Sequence, residues 1–115
     1  MWKDDAYLLD ILLAAQDARE FAAGLDWQAF SASKLHQSAI IHSLEILGEA
    51  ASKVSSDYRK DHPDIPWSKM IGMRNRLIHA YKQVRLDIVW DVVEKELPKL
   101  IALIEPLIPS EDEDQ

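Results

Sequence analysis

The 115-residue sequence contains no cysteine and only three glycines. The lack of cysteine excludes a disulfide framework, thiolate zinc ligands and a cysteine nucleophile. No apolar run approaches the roughly 20 residues that a membrane span requires, and the first residues do not resemble a signal peptide. We therefore expect one domain without a membrane segment, in the cytoplasm.

Sequence motifs of several catalytic classes are also missing. There is no Gly-x-Gly-x-x-Gly, no phosphate-binding loop and no Gly-x-Ser-x-Gly nucleophile elbow. His42-x-x-Glu45 and Glu45-x-x-x-Glu49 could supply metal ligands, but the Glu-x-x-His pairs of di-iron bundles and the His-Glu-x-x-His motif are absent. We predict neither a metal nor a cofactor.

Charge is distributed unevenly along the chain. A formal net charge of -7 argues against a general nucleic-acid binder, whose affinity comes mainly from neutralising phosphates. Residues 65–86 nevertheless contain no acid and form a basic segment. Its five charged side chains are Lys69, Arg74, Arg76, Lys82 and Arg85. Residues 110–115 contain four acids, so we predict a helical bundle domain over 1–109 and a disordered acidic tail over 110–115.

Hydrophobic periodicity predicts helices almost throughout, and no alternating run is long enough to make a sheet. The first predicted helix begins at Asp4 or Asp5 and ends at Gly24, and a short second helix covers 27–30 after Asp26. The third runs from Ser31 or Ser33 to about 55, and the fourth from Pro66 to about 81. The fifth begins at Asp87 and continues to about 105. Residues 56–66 are predicted to form a loop or broken turn, and Pro98 to kink the last helix. The expected fold is an all-α, up-and-down bundle of four principal helices and one short helix.

The fourth predicted helix carries chemically interesting residues on two faces. Arg74 is predicted to lie at the centre of an apolar stripe. There it can extend from the core edge, pair with an acid such as Glu45 or Glu49, or face a functional cleft. His79 lies about 140° further round the helix and cannot share a face with Arg74. A common site would need a distorted helix end, or residues from two chains across a symmetry axis.

The face that carries His79 is small and polar. It also contains Ser68, Gly72 and Asn75, and Asn75 lies one turn before His79. Glycine on such a face lets another helix approach closely. Alone, however, a histidine near a helix end is typical of a surface residue stabilised by the helix dipole.

The segment Arg74-Asn75-Arg76-Leu77-Ile78-His79-Ala80-Tyr81 has the pattern Arg-x4-His-x-Tyr. It resembles the HEPN superfamily, and specifically the HepT-like toxins. The resemblance extends over most of the chain, through the segments Ser43-Leu44-Glu45-Ile46-Leu47-Gly48-Glu49-Ala50-Ala51, Ile65-Pro66-Trp67, Ile71-Gly72-Met73-Arg74-Asn75 and Leu86-Asp87-Ile88-Val89-Trp90. Their joint order and spacing make the resemblance fairly specific.

The resemblance implies a homodimeric, metal-independent endoribonuclease with its active site in the dimer cleft, formed by the arginine and histidine of both chains. It makes Arg74 and His79 catalytic, and Asn75 a supporting polar residue. It also implies a toxin–antitoxin system, type VII-like, in which an MntA-type nucleotidyltransferase antitoxin transfers AMP to Tyr81. The segment from Lys82 to Arg85 is more basic than the family pattern and can alter the docking of RNA or of the antitoxin.

The residue types fit metal-free RNA cleavage, in which the adjacent 2'-hydroxyl attacks phosphorus. Histidine exchanges protons near neutral pH, and arginine binds phosphate oxygens. We expect Lys69, Arg76, Lys82 and Arg85 to attract the RNA backbone. Two alternatives stay open: a catalytically idle HEPN bundle that serves as substrate-binding partner of a nucleotidyltransferase, and a helical interaction protein in which the motif is coincidental.

Overall fold

A computed structural model describes residues 2–79 and 83–109. Its helices are α1 (Trp2–Ala22), α2 (Trp27–Ala32), α3 (Lys34–Lys53), α4 (Ser56–Asp61), α5 (Trp67–His79), α6 (Leu86–Asp91) and α7 (Leu97–Ile104). A π-helical turn, Val92–Glu96, joins α6 to α7, and a 3-10 turn, Glu105–Leu107, follows. The described ranges contain no strand, so the prediction of an all-α bundle is confirmed. The four principal helices are α1, α3, α5 and the continuous rod from α6 to α7.

The core lies where α3 packs between α1 and α5, with α7 covering α1. Its largest fully buried side chains come from α1, α2, α3, the residue that follows α3, and the α6–α7 rod: Leu8, Ile11, Phe30, Ile40, Leu44, Leu47, Val54, Val93, Leu97 and Ile104. The predicted short helix α2 contributes Phe30, whose ring stacks on Trp90 with centroids 5.0 Å apart. Among the described residues, no helix is long and apolar enough to cross a membrane.

The start of the chain differs from the prediction. Helix α1 begins at Trp2, so Asp4 lies inside it and does not cap it. The buried Asp4 carboxylate instead accepts hydrogen bonds from the backbone N–H of Ser55 at 2.8 Å and from Ser55 Oγ at 2.7 Å. Ser55 in turn caps α4, where its Oγ accepts from the N–H of Tyr58. The predicted loop at 56–66 therefore contains a second short helix, which is capped and polar and has no apolar periodicity to reveal it.

The last principal helix also starts differently from the prediction. It begins at Leu86, so Asp87 lies in its first turn rather than at the cap position. Pro98 is predicted to kink this helix. Just before Pro98 the structure has a π turn, in which the N–H of Leu97 bonds to the carbonyl of Val92. A proline ring collides with the carbonyl four residues earlier in a regular helix, and the wider turn accommodates it.

Candidate active site

Helices α3 and α5 touch at Gly48. A Cβ atom there would collide with Cβ of Arg74 and would lie 2.8 Å from the carbonyl oxygen of Met70. The close approach expected at Gly72 is not made within the protomer, because a Cβ at Gly72 would meet no heavy atom within 4 Å. The role of Gly48 was not predicted; the only sign of it in the sequence is a glycine within the apolar stripe of α3.

Arg74 lies at the edge of the core, with its side chain 31% exposed. The buried stripe of α5 consists of Trp67, Met70, Met73 and Leu77, so the prediction that Arg74 lies at the centre of the stripe is wrong. The guanidinium pairs with Glu49 of α3, with Nη2 and Oε2 2.7 Å apart. Of the three possibilities raised by the sequence, the structure thus combines the core edge with the ion pair.

The neighbours of Arg74 complete a small polar network. Arg74 Nη1 donates a hydrogen bond to Asn75 Oδ1 at 3.0 Å. Lys53 Nζ lies 3.6 Å from the second carboxylate oxygen of Glu49. Arg74 Nε is buried and has no hydrogen-bond partner among the described residues. Asn75 therefore contacts Arg74 directly, and its supporting role in the site stays a prediction.

This network forms part of the wall of an open cavity of about 310 Å³ between α1, α3 and α5. Its lining residues are Tyr7, Asp10, His42, Glu45, Ile46, Glu49, Ala50, Lys53, Arg74 and Ile78. The volume lies at the lower end of the range for small-ligand sites. Arg74 therefore also lines a cleft, and a function of that cleft, the third possibility raised by the sequence, stays a prediction.

His79 is the last residue of α5 and is exposed. It is not among the described residues that line the cavity beside Arg74. No described residue forms a hydrogen bond or ion pair with its side chain. A single protomer therefore places Arg74 and His79 on different faces of α5, as the helical spacing predicts.

Three of the predicted RNA-binding residues, Lys69, Arg76 and Arg85, do not line the Arg74 cavity. Exposed Lys69 and Arg76 line a groove of about 450 Å³ between α5 and the α6–α7 rod. Arg85 forms a two-pronged pair with Asp87, with Nε–Oδ1 3.0 Å and Nη2–Oδ2 2.7 Å. This hydrogen bonding holds the pKa of the Asp87 carboxyl below its ordinary value. The charge of Arg85 is thus already balanced locally.

Several predicted features lie outside the described residues. They are Tyr81, Lys82 and the acidic tail at 110–115. Of the proposed metal ligands, His42, Glu45 and Glu49 do line one cavity. Among the described residues, however, no group of three or more His, Asp or Glu side chains is arranged to hold a metal ion. The alternative of a metal site gains no support.

Fold and site together define a small all-α bundle that carries an arginine beside a cleft and a histidine at the end of the same helix. The chain belongs to the HepT-like ribonuclease family, because the family model described as "Ribonuclease HepT-like" matches residues 11–107. The resemblance to HepT-like proteins of the HEPN superfamily is therefore confirmed. The prediction of an RNA-cleaving enzyme agrees with the family.

Several curated proteins are similar over nearly their whole length. A Methanocaldococcus jannaschii protein named as an RNase is 39% identical over 95 residues, which cover 83% of this chain and 87% of that protein. A Thermococcus cleftensis protein named as a probable ribonuclease HepT is 39% identical over 88% of this chain and 92% of its own. A Caldanaerobacter subterraneus protein named as an RNase is 32% identical over 91% and 94%. No solved structure gives a significant match.

Proposed function

We propose that this protein is a metal-independent endoribonuclease in which Arg74 and His79 carry out the chemistry. The observation that carries the proposal is the guanidinium of Arg74, fixed by Glu49 and Asn75 at the edge of a cavity in a chain of the HepT-like family. The cleaved strand supplies its own nucleophile, so the protein needs to provide only charge stabilisation and proton transfer.

In the proposed reaction the 2'-oxygen bonds to phosphorus as the bond from phosphorus to the 5'-oxygen breaks. The products are a 2',3'-cyclic phosphate and a 5'-hydroxyl. Arg74 stabilises the charge that develops on the non-bridging oxygens, because its guanidinium is a permanent cation with a planar set of donors. His79 transfers a proton, either from the 2'-hydroxyl or to the leaving 5'-oxygen.

The active site is proposed to form in a homodimer. Arg74 and His79 project from different faces of α5, and His79 does not line the cavity beside Arg74. A two-fold axis brings the same surface of two copies together, so that the arginine of one chain can meet the histidine of the other. Exposed Ile46 and Ile78 at the cavity are apolar side chains that such a contact would cover.

We further propose that the enzyme is the toxin of a type VII-like toxin–antitoxin system, with an MntA-type nucleotidyltransferase as antitoxin. In this step the hydroxyl oxygen of Tyr81 bonds to the α-phosphorus of ATP, its proton is lost and pyrophosphate leaves. The AMP group would place a bulky anion two residues after His79 and repel the phosphate backbone of RNA. Co-expression with the antitoxin should add the mass of one AMP group to the wild type but not to Tyr81→Phe. An unchanged wild-type mass, or equal modification of both proteins, would contradict this assignment.

The direct test of the enzyme is cleavage of cellular RNA by purified protein in excess chelator. We expect the wild type to cut RNA, to leave DNA intact because it lacks the 2'-hydroxyl, and to produce 2',3'-cyclic phosphate ends. His79→Ala should lose roughly 100-fold to 10,000-fold of the rate. Intact mass must first exclude prior modification of Tyr81. If the unmodified wild type then fails to cut RNA, the idle binding subunit becomes the better interpretation.

A further inference from the structure

Glu49 contacts the proposed catalytic arginine from a different helix, 25 positions earlier in the chain. We propose that Glu49 is a positioning residue for RNA cleavage, which holds the guanidinium of Arg74 in the orientation that receives the scissile phosphate. This inference rests on the proposed function, since it assigns a role within the same site. In this proposal Glu49 acts through Arg74 and has no part of its own in the bond-breaking step.

The backbone at Gly48 prepares this contact. Because residue 48 has no side chain, α5 lies directly against α3. Any other residue at position 48 would have a Cβ atom that collides with Cβ of Arg74. The next residue, Glu49, then reaches the far end of the same side chain, with 2.7 Å between Oε2 and Nη2. Two consecutive residues of α3 thus fix the base and the tip of Arg74.

The hydrogen bonds of Arg74 leave donors available for a substrate. A guanidinium has five N–H groups. Glu49 forms an ion pair with Nη2, Asn75 Oδ1 accepts a hydrogen bond from Nη1, and Nε is buried without a partner among the described residues. One N–H group on each terminal nitrogen remains uncommitted among the described residues. Both terminal nitrogens of the guanidinium are therefore held in place, while one N–H donor on each stays free for phosphate oxygens.

A carboxylate beside a phosphate site also has a repulsive effect, which the network reduces. Lys53 lies 3.6 Å from the second oxygen of Glu49, so the carboxylate stands between two cations. The pair is also only half-exposed, at 31% for Arg74 and 43% for Glu49, which limits screening by water. A long side chain that is already ordered loses less freedom when it binds phosphate.

The test compares Glu49→Gln with Glu94→Gln in the α6–α7 rod. Glu94 also pairs with an arginine of another helix, Arg19 of α1, at 3.5 Å and with similar exposure, but it does not line the Arg74 cavity. Removing the charge of Glu49 should lower kcat roughly 10-fold to 100-fold, as is common for residues that orient a catalytic group, while KM changes less. Glu94→Gln should cleave like the wild type, and both variants should keep the melting temperature of the wild type.

A double-mutant cycle separates positioning from general stability. In an Arg74→Lys background, which keeps the charge but lacks the planar fork, Glu49→Gln should cost much less than in the wild type. An equal loss in both backgrounds would overturn the proposal. Glu49→Gln activity equal to or above that of the wild type would also overturn it, the latter by showing that Glu49 competes with RNA for Arg74.

A readout independent of cleavage distinguishes failure of this inference from failure of the proposed function. In NMR spectra, the Arg74 Nε–H group should be rigid in the wild type and in Glu94→Gln, and mobile in Glu49→Gln. An Arg74 side chain that stays equally rigid without Glu49 would contradict the inference. This holds whether or not the wild type cleaves RNA, which is decided separately by the assay with total RNA.

Discussion

Two arginines of the basic segment form ion pairs of the same length in very different surroundings. Arg74 and Glu49 are 2.7 Å apart, come from α5 and α3, and are 31% and 43% exposed. Arg85 and Asp87 are also 2.7 Å apart but are two residues apart in sequence, and are 69% and 55% exposed. The first pair depends on the packing of two helices, whereas the second is made by a single turn of chain.

The comparison shows why distance alone does not identify a functional ion pair. An exposed local pair contributes little because water and salt screen it and both side chains lose freedom. A pair that spans two packed helices holds a side chain in a fixed place relative to the fold. Of the five cations in the basic segment, Arg74 is the one that the described structure holds across a helix contact.

The largest expected difference between the two pairs is in RNA cleavage. Arg74→Ala should lower kcat roughly 100-fold to 1,000-fold, because it removes stabilisation of charge that develops in the transition state. Arg85→Ala should mainly weaken RNA binding and its dependence on salt. Single-turnover cleavage by both variants checks this. Equal losses of kcat would mean that Arg74 has no special place in the site.

The helix contact itself can be broken at Gly48 and compared with Gly72. Gly48→Ala should destabilise the fold by about 1–3 kcal/mol, since the added methyl group collides with Arg74 and the α5 backbone. At a protein concentration low enough to keep the chain monomeric, Gly72→Ala should stabilise the fold by about 0.5–1 kcal/mol. The space around a Cβ atom at residue 72 is open, and alanine favours the helical backbone more than glycine does.

Thermal or denaturant unfolding of both glycine variants measures this difference. Cleavage by Gly48→Ala should fall as well, because the base of Arg74 is displaced. If Gly72→Ala is the more damaging of the two for folding, the close contact between α3 and α5 is misplaced.

A smaller effect concerns the Asp4 carboxylate, which ties α1 to the start of α4. The hydrogen bond from the backbone N–H of Ser55 lowers the pKa of Asp4 below its ordinary value of 3.8, against an opposing effect of burial. The contribution of the Asp4 carboxylate to the free energy of unfolding is therefore fully present above pH 3.8. It is lost as pH falls through the lower pKa that Asp4 has in the folded protein. Asp4→Asn should cost about 1–2 kcal/mol near neutral pH.

Unfolding measured from pH 7 to pH 2 tests the Asp4 prediction. The gap in stability between the wild type and Asp4→Asn should shrink below pH 4. A gap that is constant over this range would exclude the titration of Asp4 as its cause. RNA cleavage near neutral pH should change little, because Asp4 lies outside the Arg74 network.

The sequence predicts those parts of the molecule that depend on periodic burial. The four principal helices follow from apolar spacing, and the separation of Arg74 from His79 follows from helix geometry. Local hydrogen bonding is less visible: the Asp4–Ser55 contact joins residues 51 positions apart, and α4 has no buried residue to mark it. The sequence offers Glu45 and Glu49 equally as partners of Arg74, and only the helix contact at Gly48 selects Glu49.

We propose that a working site combines Arg74 of one chain with His79 of another. Its most direct test is to mix the inactive Arg74→Ala and His79→Ala proteins under conditions that allow subunits to exchange, and to measure RNA cleavage. We predict partial recovery of activity in the mixture, because a mixed dimer contains one arginine and one histidine that can face each other. A mixture as inactive as its two components would contradict a shared site.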